Sequence, residues 1–377
     1  MSPNSGLDDG RPRSRLRDLA QLAPWTFAVP IVAVLVLAVT WGDKPGPAVL
    51  ALVAILLAGA VLAAVHHAEV VAHRVGEPGG SLVLAVAVTV IEVGLIVTLM
   101  ATGGSETDSL ARDTVFAAVM ISCNGIVGLS LLAATLRRGV ASFNAEGSAT
   151  AFGSVITLAT LCLVVPTFTT SASGPRFSTT QLIFAGLASL ALYVLFVFVQ
   201  NVRHRDFFVP VEEEELDDDE HVEPPSERRA LLSLGALVLA LVAVVGLAKV
   251  EAPGIEDAVD AVGAPPSAVG VVIALLVLLP ETLAAVRNAR RGRVQTSFNL
   301  GFGSAIASIG LTIPAVAVAS IWLDGSLVLG LSSTQIVLLA LTAVVGALTV
   351  LPGRATLQES GIHLVIFGAF LLLAVNP

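Results

Sequence analysis

The sequence is poor in charge, in cysteine and in basic clusters, and each shortage excludes a class of protein. Charged residues make up only 13% of the 377 residues, whereas a soluble domain carries about 25%. The two cysteines, Cys123 and Cys162, both lie in apolar runs, which argues against a disulfide framework or a cysteine zinc site. No basic patch is present that would bind nucleic acid. The composition therefore excludes an ordinary soluble domain.

Long apolar runs are what the sequence has instead. Hydrophobic residues make up 55% of the chain, and they fall in uninterrupted stretches rather than in alternation. Stretches of about 18 or more apolar residues are typical of membrane-spanning helices, whereas the strands of a membrane barrel would alternate. We therefore predict an all-α integral membrane protein with about eleven transmembrane helices. The predicted spans cover residues 24–41, 48–65, 81–101, 115–135, 149–168, 180–200, 230–248, 266–286, 298–322, 334–351 and 361–376.

An acidic segment interrupts the apolar runs and divides the chain. Its acidic residues are Glu212, Glu213, Glu214, Glu215, Asp217, Asp218, Asp219 and Glu220. We predict a cytoplasmic tail at 1–23, a first helix at 24–41, a five-helix repeat at 48–200, an acidic cytoplasmic linker at 201–229 and a second five-helix repeat at 230–377. Because five is odd, the second repeat is inverted, which is a frequent plan of secondary transporters. The acidic segment fits either a regulatory cation-sensing element or a solvated linker.

The basic residues of the loops predict the orientation of the chain. They concentrate on alternate loops, at residues 11–17, 74, 137–138, 203–205, 228–229 and 287–293. Cytoplasmic loops of membrane proteins are enriched in lysine and arginine. We therefore expect a cytoplasmic N-terminus and a C-terminus on the outside.

The two halves carry a weak internal similarity. Glu92 lies in the second span of the first half, and Glu281 lies in the second span of the other half. Segments rich in glycine and proline precede both spans, at residues 76–80 and 263–266. The next spans contain SCNGIVGL at 122–129 and SAIASIGL at 304–311, which aligns Ser122 with Ser304. This pattern supports a repeat.

Glu92 and Glu281 are the only carboxylates that we place within the predicted spans, and no lysine or arginine is placed there. A charge at the bilayer centre costs at least about 2.5–3.5 kcal/mol, so it needs a partner or a function. A paired or protonated structural glutamate is the alternative interpretation. Two carboxylates without a resident counter-ion would be neutralised by a mobile cation or by protons, which compete for the same oxygens. This competition indicates cation/proton exchange.

Neutral side chains near the glutamates supply further oxygens, which hard cations prefer, although each hydroxyl could instead serve helix packing. The predicted cation- and proton-binding set is Glu92, Glu281, Ser122, Ser304, Asn124, Thr89 and Ser308. Pro280 either breaks the helix beside Glu281 or merely kinks it. Gly301 and Gly303 would permit close approach of a neighbouring helix.

Two sequence motifs resemble a known family. Residues 69–81, EVVAHRVGEPGGS, are followed by Glu92, and residues 279–288, LPETLAAVRN, continue to Gly303 and Ser304. They resemble the two signatures of the cation/proton exchangers of the calcium:cation antiporter superfamily. Gly76 and Glu77 stand before Glu92 at the spacing of the first signature. The chain is most similar to the bacterial calcium/sodium (potassium):proton antiporters.

The resemblance implies a function and a location. It implies that Glu92 and Glu281 bind the transported cation and exchange it for protons, with Ser122 and Ser304 flanking them. The expected protein is not an enzyme and has no permanently bound cofactor. Its expected partners are Ca²⁺, Na⁺ or K⁺, protons and the lipid of a bacterial-type cell (inner) membrane, and not nucleic acid. A cation channel or uniporter, and less readily a membrane-embedded enzyme, stay open as alternatives.

Overall fold

A computed structural model describes residues 24–42, 45–76, 79–101, 107–211, 224–261, 263–322 and 327–376. Within these ranges the chain forms eleven long helices and one short two-stranded ribbon. The first six helices are α1 (Pro24–Thr40), α2 (Pro47–Val75), α3 (Gly79–Met100), α4 (Leu110–Arg138), α5 (Ala145–Phe168) and α6 (Thr179–Arg203). The others are α7 (Glu227–Ala261), α8 (Ser267–Arg290), α9 (Val294–Ala319), α10 (Ser333–Val350) and α11 (Leu357–Val375). The strands are β1 (Val140–Ser142) and β2 (Arg354–Thr356).

Each predicted span corresponds to one of these helices, which confirms the all-α membrane fold. In the described ranges, ten helices are long and apolar enough to cross a membrane, and α1 is a shorter apolar helix. Large apolar side chains cover the outer faces: Val39 is 77% exposed, Val365 72% and Leu348 68%. Such exposure suits contact with lipid hydrocarbon, which is as apolar as these side chains. The chain is therefore a multi-pass membrane protein.

Two helices are much longer than their predicted spans. Helix α2 extends to Val75 rather than residue 65, and α7 covers Glu227–Ala261 rather than 230–248. A hydropathy window measures the bilayer-spanning part of a helix, whereas the helix continues until a residue breaks it. Gly76 ends α2 with a φ of 73°, and its N–H donates to the carbonyl of Ala72 at 2.9 Å.

The loops contact one another in two groups, one at each end of the helix bundle. At one end, antiparallel β1 and β2 join the α4–α5 connection to the α10–α11 connection. At the other end, the amide N of Gly330, between α9 and α10, donates to the carbonyl of Pro175, between α5 and α6, at 3.0 Å. The amide N of Val328 donates to the carbonyl of Asp108, between α3 and α4, at 3.0 Å. Both sets of contacts agree with a chain that crosses from end to end at every helix.

Equivalent helices of the two halves have equivalent neighbours. Helix α4 packs against α8 and α11, and its counterpart α9 packs against α3 and α6. The counterparts α2 and α7 pack directly against each other. Two repeats related by a pseudo-two-fold axis are expected to pack in this way.

Two buried apolar clusters hold the bundle together. One is built mainly from α1, α2, α3 and α7, and the other mainly from α4, α5, α6, α9, α10 and α11. Helix α8 contributes to both, with Val277 in the first cluster and Leu278 in the second. Its position places Glu281 between the two packed groups.

Candidate functional site

The predicted glutamates line one cavity. It has a volume of about 230 Å³ and is enclosed by α3, α4, α6, α8 and α9. Helix α3 contributes Glu92, α8 contributes Glu281, and α9 contributes Ser304 and Ser308. Residues that are far apart in the sequence therefore share one space at the boundary between the two packed groups.

Glu92 is held by a hydroxyl donor. Its side chain is buried, and the Ser308 hydroxyl donates to Glu92 Oε1 at 2.6 Å. Thr312, one helical turn beyond Ser308, is also fully buried. Ser308 therefore fixes the orientation of the Glu92 carboxyl group across the α3–α9 contact.

Glu281 keeps one oxygen uncommitted. Its side chain is buried, and its Oε2 atom has no hydrogen-bond partner among the described residues. Helix α8 continues without a break through Pro280, which rules out the helix-break interpretation. Because proline lacks an N–H, the carbonyl of Leu276 loses its usual helical donor. The two glutamates thus differ, since only Glu92 has a fixed hydroxyl partner.

Two further buried carboxylates lie within the helices but outside the predicted spans. Helix α4 begins at Leu110 and includes Asp113, and the extended α7 includes Glu251, both of which are buried. Asp113 is already paired, because its two oxygens accept hydrogen bonds from Arg112 at 2.9 and 3.0 Å. Neither Asp113 nor Glu251 lines the cavity, and no lysine or arginine is among the described residues that do.

Thr89, Ser304 and Gly303, which were predicted near the glutamates, all line the cavity but differ in their contacts. The Thr89 hydroxyl donates to the carbonyl of Ala85 in its own helix at 2.8 Å. The Ser304 hydroxyl makes no hydrogen bond to another described residue, so it is available to a ligand. Gly303 does not mediate close helix packing, because a Cβ atom built there would meet nothing within 4 Å. Gly301, which was predicted together with Gly303, does have that role, since its Cβ would lie 3.4 Å from the carbonyl oxygen of Ser122.

Ser122 and Asn124 are not among the residues that line the cavity. Both lie in a π-helical turn of α4, Ile121–Ile126, whereas α9 is a regular helix at the matching position. The wider turn rotates the side chains relative to a regular helix. The Asn124 amide nitrogen donates to the Thr342 hydroxyl at 2.9 Å, and its oxygen lies 3.1 Å from His363 Nδ1. The buried hydroxyl of Ser122 has no partner among the described residues.

Several polar residues of the cavity were not predicted from the sequence. These are Thr296 and Asn299 of α9 and Tyr193 and Gln200 of α6. Helical spacing does not link Asn299 to Ser304, because five residues rotate an α-helix by about 140°. Only tertiary packing shows that Thr296, Asn299, Tyr193 and Gln200 line the cavity. Glu77 and the acidic segment 212–220 lie outside the described residues.

Comparison with known proteins shows the family of the chain. Residues 45–202 and 232–376 match the family model for the sodium/calcium exchanger protein. The chain belongs to this family. The two matched segments lie on either side of the acidic segment, one in each half. This match confirms the resemblance to the calcium:cation antiporter superfamily, so the chain is a cation exchanger. The family is one of transporters and not of enzymes.

Relatives of this exchanger match along almost its whole length. The putative ionic transporter y4hA of Sinorhizobium fredii is 43% identical over 97% of this chain and all of its own length. The sodium-potassium/proton antiporter ChaA of Escherichia coli is 34% identical over 91% of this chain and 94% of its own. The solved structure of native YfkE aligns with a TM-score of 0.71 at 14% identity, covering 94% of this chain and 99% of YfkE. The H⁺/Ca²⁺ exchanger CAX aligns at 0.65 and 16% identity, covering 96% of this chain and 93% of CAX. Both alignments support the same fold.

Proposed function

We propose that the protein is a secondary active antiporter that exports a cation, Ca²⁺, Na⁺ or K⁺, in exchange for protons. In this mechanism protons and cation compete for the carboxylates of Glu92 and Glu281. The observation that carries the proposal is the shared cavity, which two buried carboxylates line without a lysine or arginine among the described lining residues. The name of the relative ChaA, a sodium-potassium/proton antiporter, agrees with it.

Charge balance explains why the two kinds of ion would be exchanged. Two ionised carboxylates in a low-dielectric site are strongly unfavourable without a counter-charge. Two protons, one divalent cation or two monovalent cations each bring the pair to neutrality. The empty, doubly charged state would then cross between the two access states too rarely to uncouple transport. The exchange at this site is therefore electroneutral.

The depth of the cavity favours alternating access over a channel. On α9 its lining begins at Thr296 and stops at Ser308, about 18 Å further along a helix that rises 1.5 Å per residue. The hydrocarbon core of a bilayer is about 30 Å thick. Beyond Ser308, Ile309, Gly310 and Thr312 are buried in the described structure. A continuous pore would need lining residues along this second half as well.

Proton flux in proteoliposomes tests the proposal. Vesicles with an imposed pH gradient receive Ca²⁺, Na⁺ and K⁺ in turn, and collapse of the gradient identifies the exchanged cation. We expect Glu92→Gln and Glu281→Gln each to abolish this collapse, because a neutral amide cannot alternate between a proton and a cation. Glu251→Gln is the matched control, since Glu251 is a buried carboxylate outside the cavity. Cation flux that follows voltage without proton movement would instead establish a channel.

A further inference from the structure

One face of α8 is exposed and apolar along most of its length and basic at its end. Val272, Leu275, Leu279 and Leu283 are exposed, and Arg290, two turns beyond Leu283, is exposed as well. At 3.6 residues per turn these five positions fall within about 80° of one another, so they form one stripe. Its apolar part is about 17 Å long, close to the hydrocarbon thickness of one leaflet, about 15 Å. The stripe therefore matches one leaflet of a bilayer and ends on an arginine.

Two arginines of another helix join Arg290 at the end of α8. The Arg137 Nη1 atom, in the last turn of α4, donates to the carbonyl of Arg290 at 2.8 Å. A Cβ atom built at Gly292, in the turn after α8, would touch the guanidinium group of Arg138. Both arginines of α4 are exposed. The enrichment of cytoplasmic loops in arginine accounts for each basic residue by itself, but not for the convergence of residues 153 positions apart.

The arginine cluster, Arg137, Arg138 and Arg290, presents guanidinium donors at the surface. The Arg290 side chain makes no hydrogen bond or ion pair with another described residue, and Arg137 makes only the bond to the α8 carbonyl. A guanidinium group has five N–H donors, so most of these donors are available to a ligand. Glu69 of α2 interacts electrostatically with Arg287, at the edge of the stripe. Because like charges that are held together repel one another, an anion bound between the arginines would stabilise the cluster.

We propose that the arginine cluster binds the headgroup of an anionic phospholipid, whose acyl chain lies along the apolar stripe of α8. Arginine N–H groups form strong, charge-assisted hydrogen bonds to phosphate oxygens. Basic sites between membrane helices at the cytoplasmic surface bind anionic headgroups, and the predicted orientation puts this end of the bundle there. A zwitterionic lipid is a poorer partner, because its ammonium group is repelled by the arginines. Neither the cluster nor the stripe lines the cavity, so the site does not depend on the proposed exchange.

Native mass spectrometry of the full chain in detergent counts bound lipid without relying on transport. We expect the protein to retain phosphatidylglycerol in preference to phosphatidylcholine at the same concentration. Arg137→Gln and Arg290→Gln should each weaken phosphatidylglycerol binding by roughly fivefold, the usual effect of one basic residue at a membrane surface. Arg203→Gln is the matched control, because Arg203 is an exposed arginine in the last turn of α6 that takes no part in the cluster. It should bind phosphatidylglycerol as the unmodified protein does.

Two further arms separate charge from packing and locate the lipid. Arg137→Lys and Arg290→Lys keep the charge and should bind more phosphatidylglycerol than the glutamine variants. Phosphatidylglycerol with a photoreactive acyl chain should crosslink to α8 at residues 272–283, and added inorganic phosphate should not displace it. The proposal is overturned by equal binding of the two lipids, by glutamine variants that bind like the unmodified protein, or by an equal loss in Arg203→Gln. Lysine variants no better than glutamine, crosslinks confined to other helices, or displacement by free phosphate would also overturn it.

Discussion

Replacing Gly270 with alanine tests the contact that positions α8 against α4. A Cβ atom at residue 270 would lie 2.8 Å from the amide N of Thr114 and 2.9 Å from the carbonyl carbon of Asp113. Carbon atoms in contact normally stay about 3.5–4.0 Å apart. Because both of these atoms belong to the backbone of α4, rotation of a side chain cannot relieve the clash. The two helices would have to separate by on the order of 1 Å.

The magnitude follows from a comparison with a second glycine. A Cβ atom at Gly153, in α5, would meet nothing within 4 Å. Gly153→Ala and Gly270→Ala gain the same helix propensity, about 0.8–1.0 kcal/mol, so this gain cancels when the variants are compared. Overpacking typically costs about 1–3 kcal/mol, and we expect this difference in the free energy of unfolding between the two variants.

Thermal unfolding of the purified protein in detergent measures the difference. We expect Gly270→Ala to have a Tm a few degrees lower than that of Gly153→Ala. Because α8 also carries Glu281, Gly270→Ala should slow cation-dependent proton flux while Gly153→Ala retains it. Equal Tm values and equal flux for the two variants would refute the close approach of α4 and α8.

Three further predictions concern the buried network, the charge balance and the orientation. Thr342→Val should lower the free energy of unfolding by about 1–3 kcal/mol, because the Asn124 amide loses its acceptor; Thr342→Ser should restore the Tm, and an unchanged Tm in the valine variant would contradict the network. The rate of Ca²⁺/H⁺ exchange should not change when a potassium ionophore imposes a membrane potential. A rate that follows the voltage would show that each exchange cycle carries net charge across the membrane. A membrane-impermeant thiol reagent should label Ser173→Cys only from outside and Gln358→Cys only from the cytoplasm, and the reverse pattern would invert the predicted orientation.

Some properties of the site were predictable because they depend on residue type and chain order. An ionisable side chain within a long apolar run is costly in lipid, so the positions of Glu92 and Glu281 in the sequence were enough to single them out. The alignment of the two halves also singled out Ser304. Both patterns are local, and local patterns survive in the folded chain when the helix around them is regular.

Other predictions failed where the helices depart from a regular bilayer-length rod. The π-helical turn of α4 turns Asn124 toward Thr342 and His363 instead of the cavity. Asp113 was overlooked because α4 begins before the apolar window does. Gly303 faces open space, since helix spacing depends on which side chains the neighbouring helix presents. Each error concerns a feature set by contacts between helices.

The amino-acid sequence by itself determined the membrane class, the number of helices and the two glutamates on which exchange is proposed to depend. Hydrophobic length and the cost of buried charge act on each segment separately, so both can be read from the chain. Only the tertiary structure decided that Ser308 holds Glu92, that Glu281 Oε2 has no partner among the described residues, and that Gln200 lines the same cavity. These relations join helices far apart in sequence, and they arise from how α3, α6, α8 and α9 pack around one cavity.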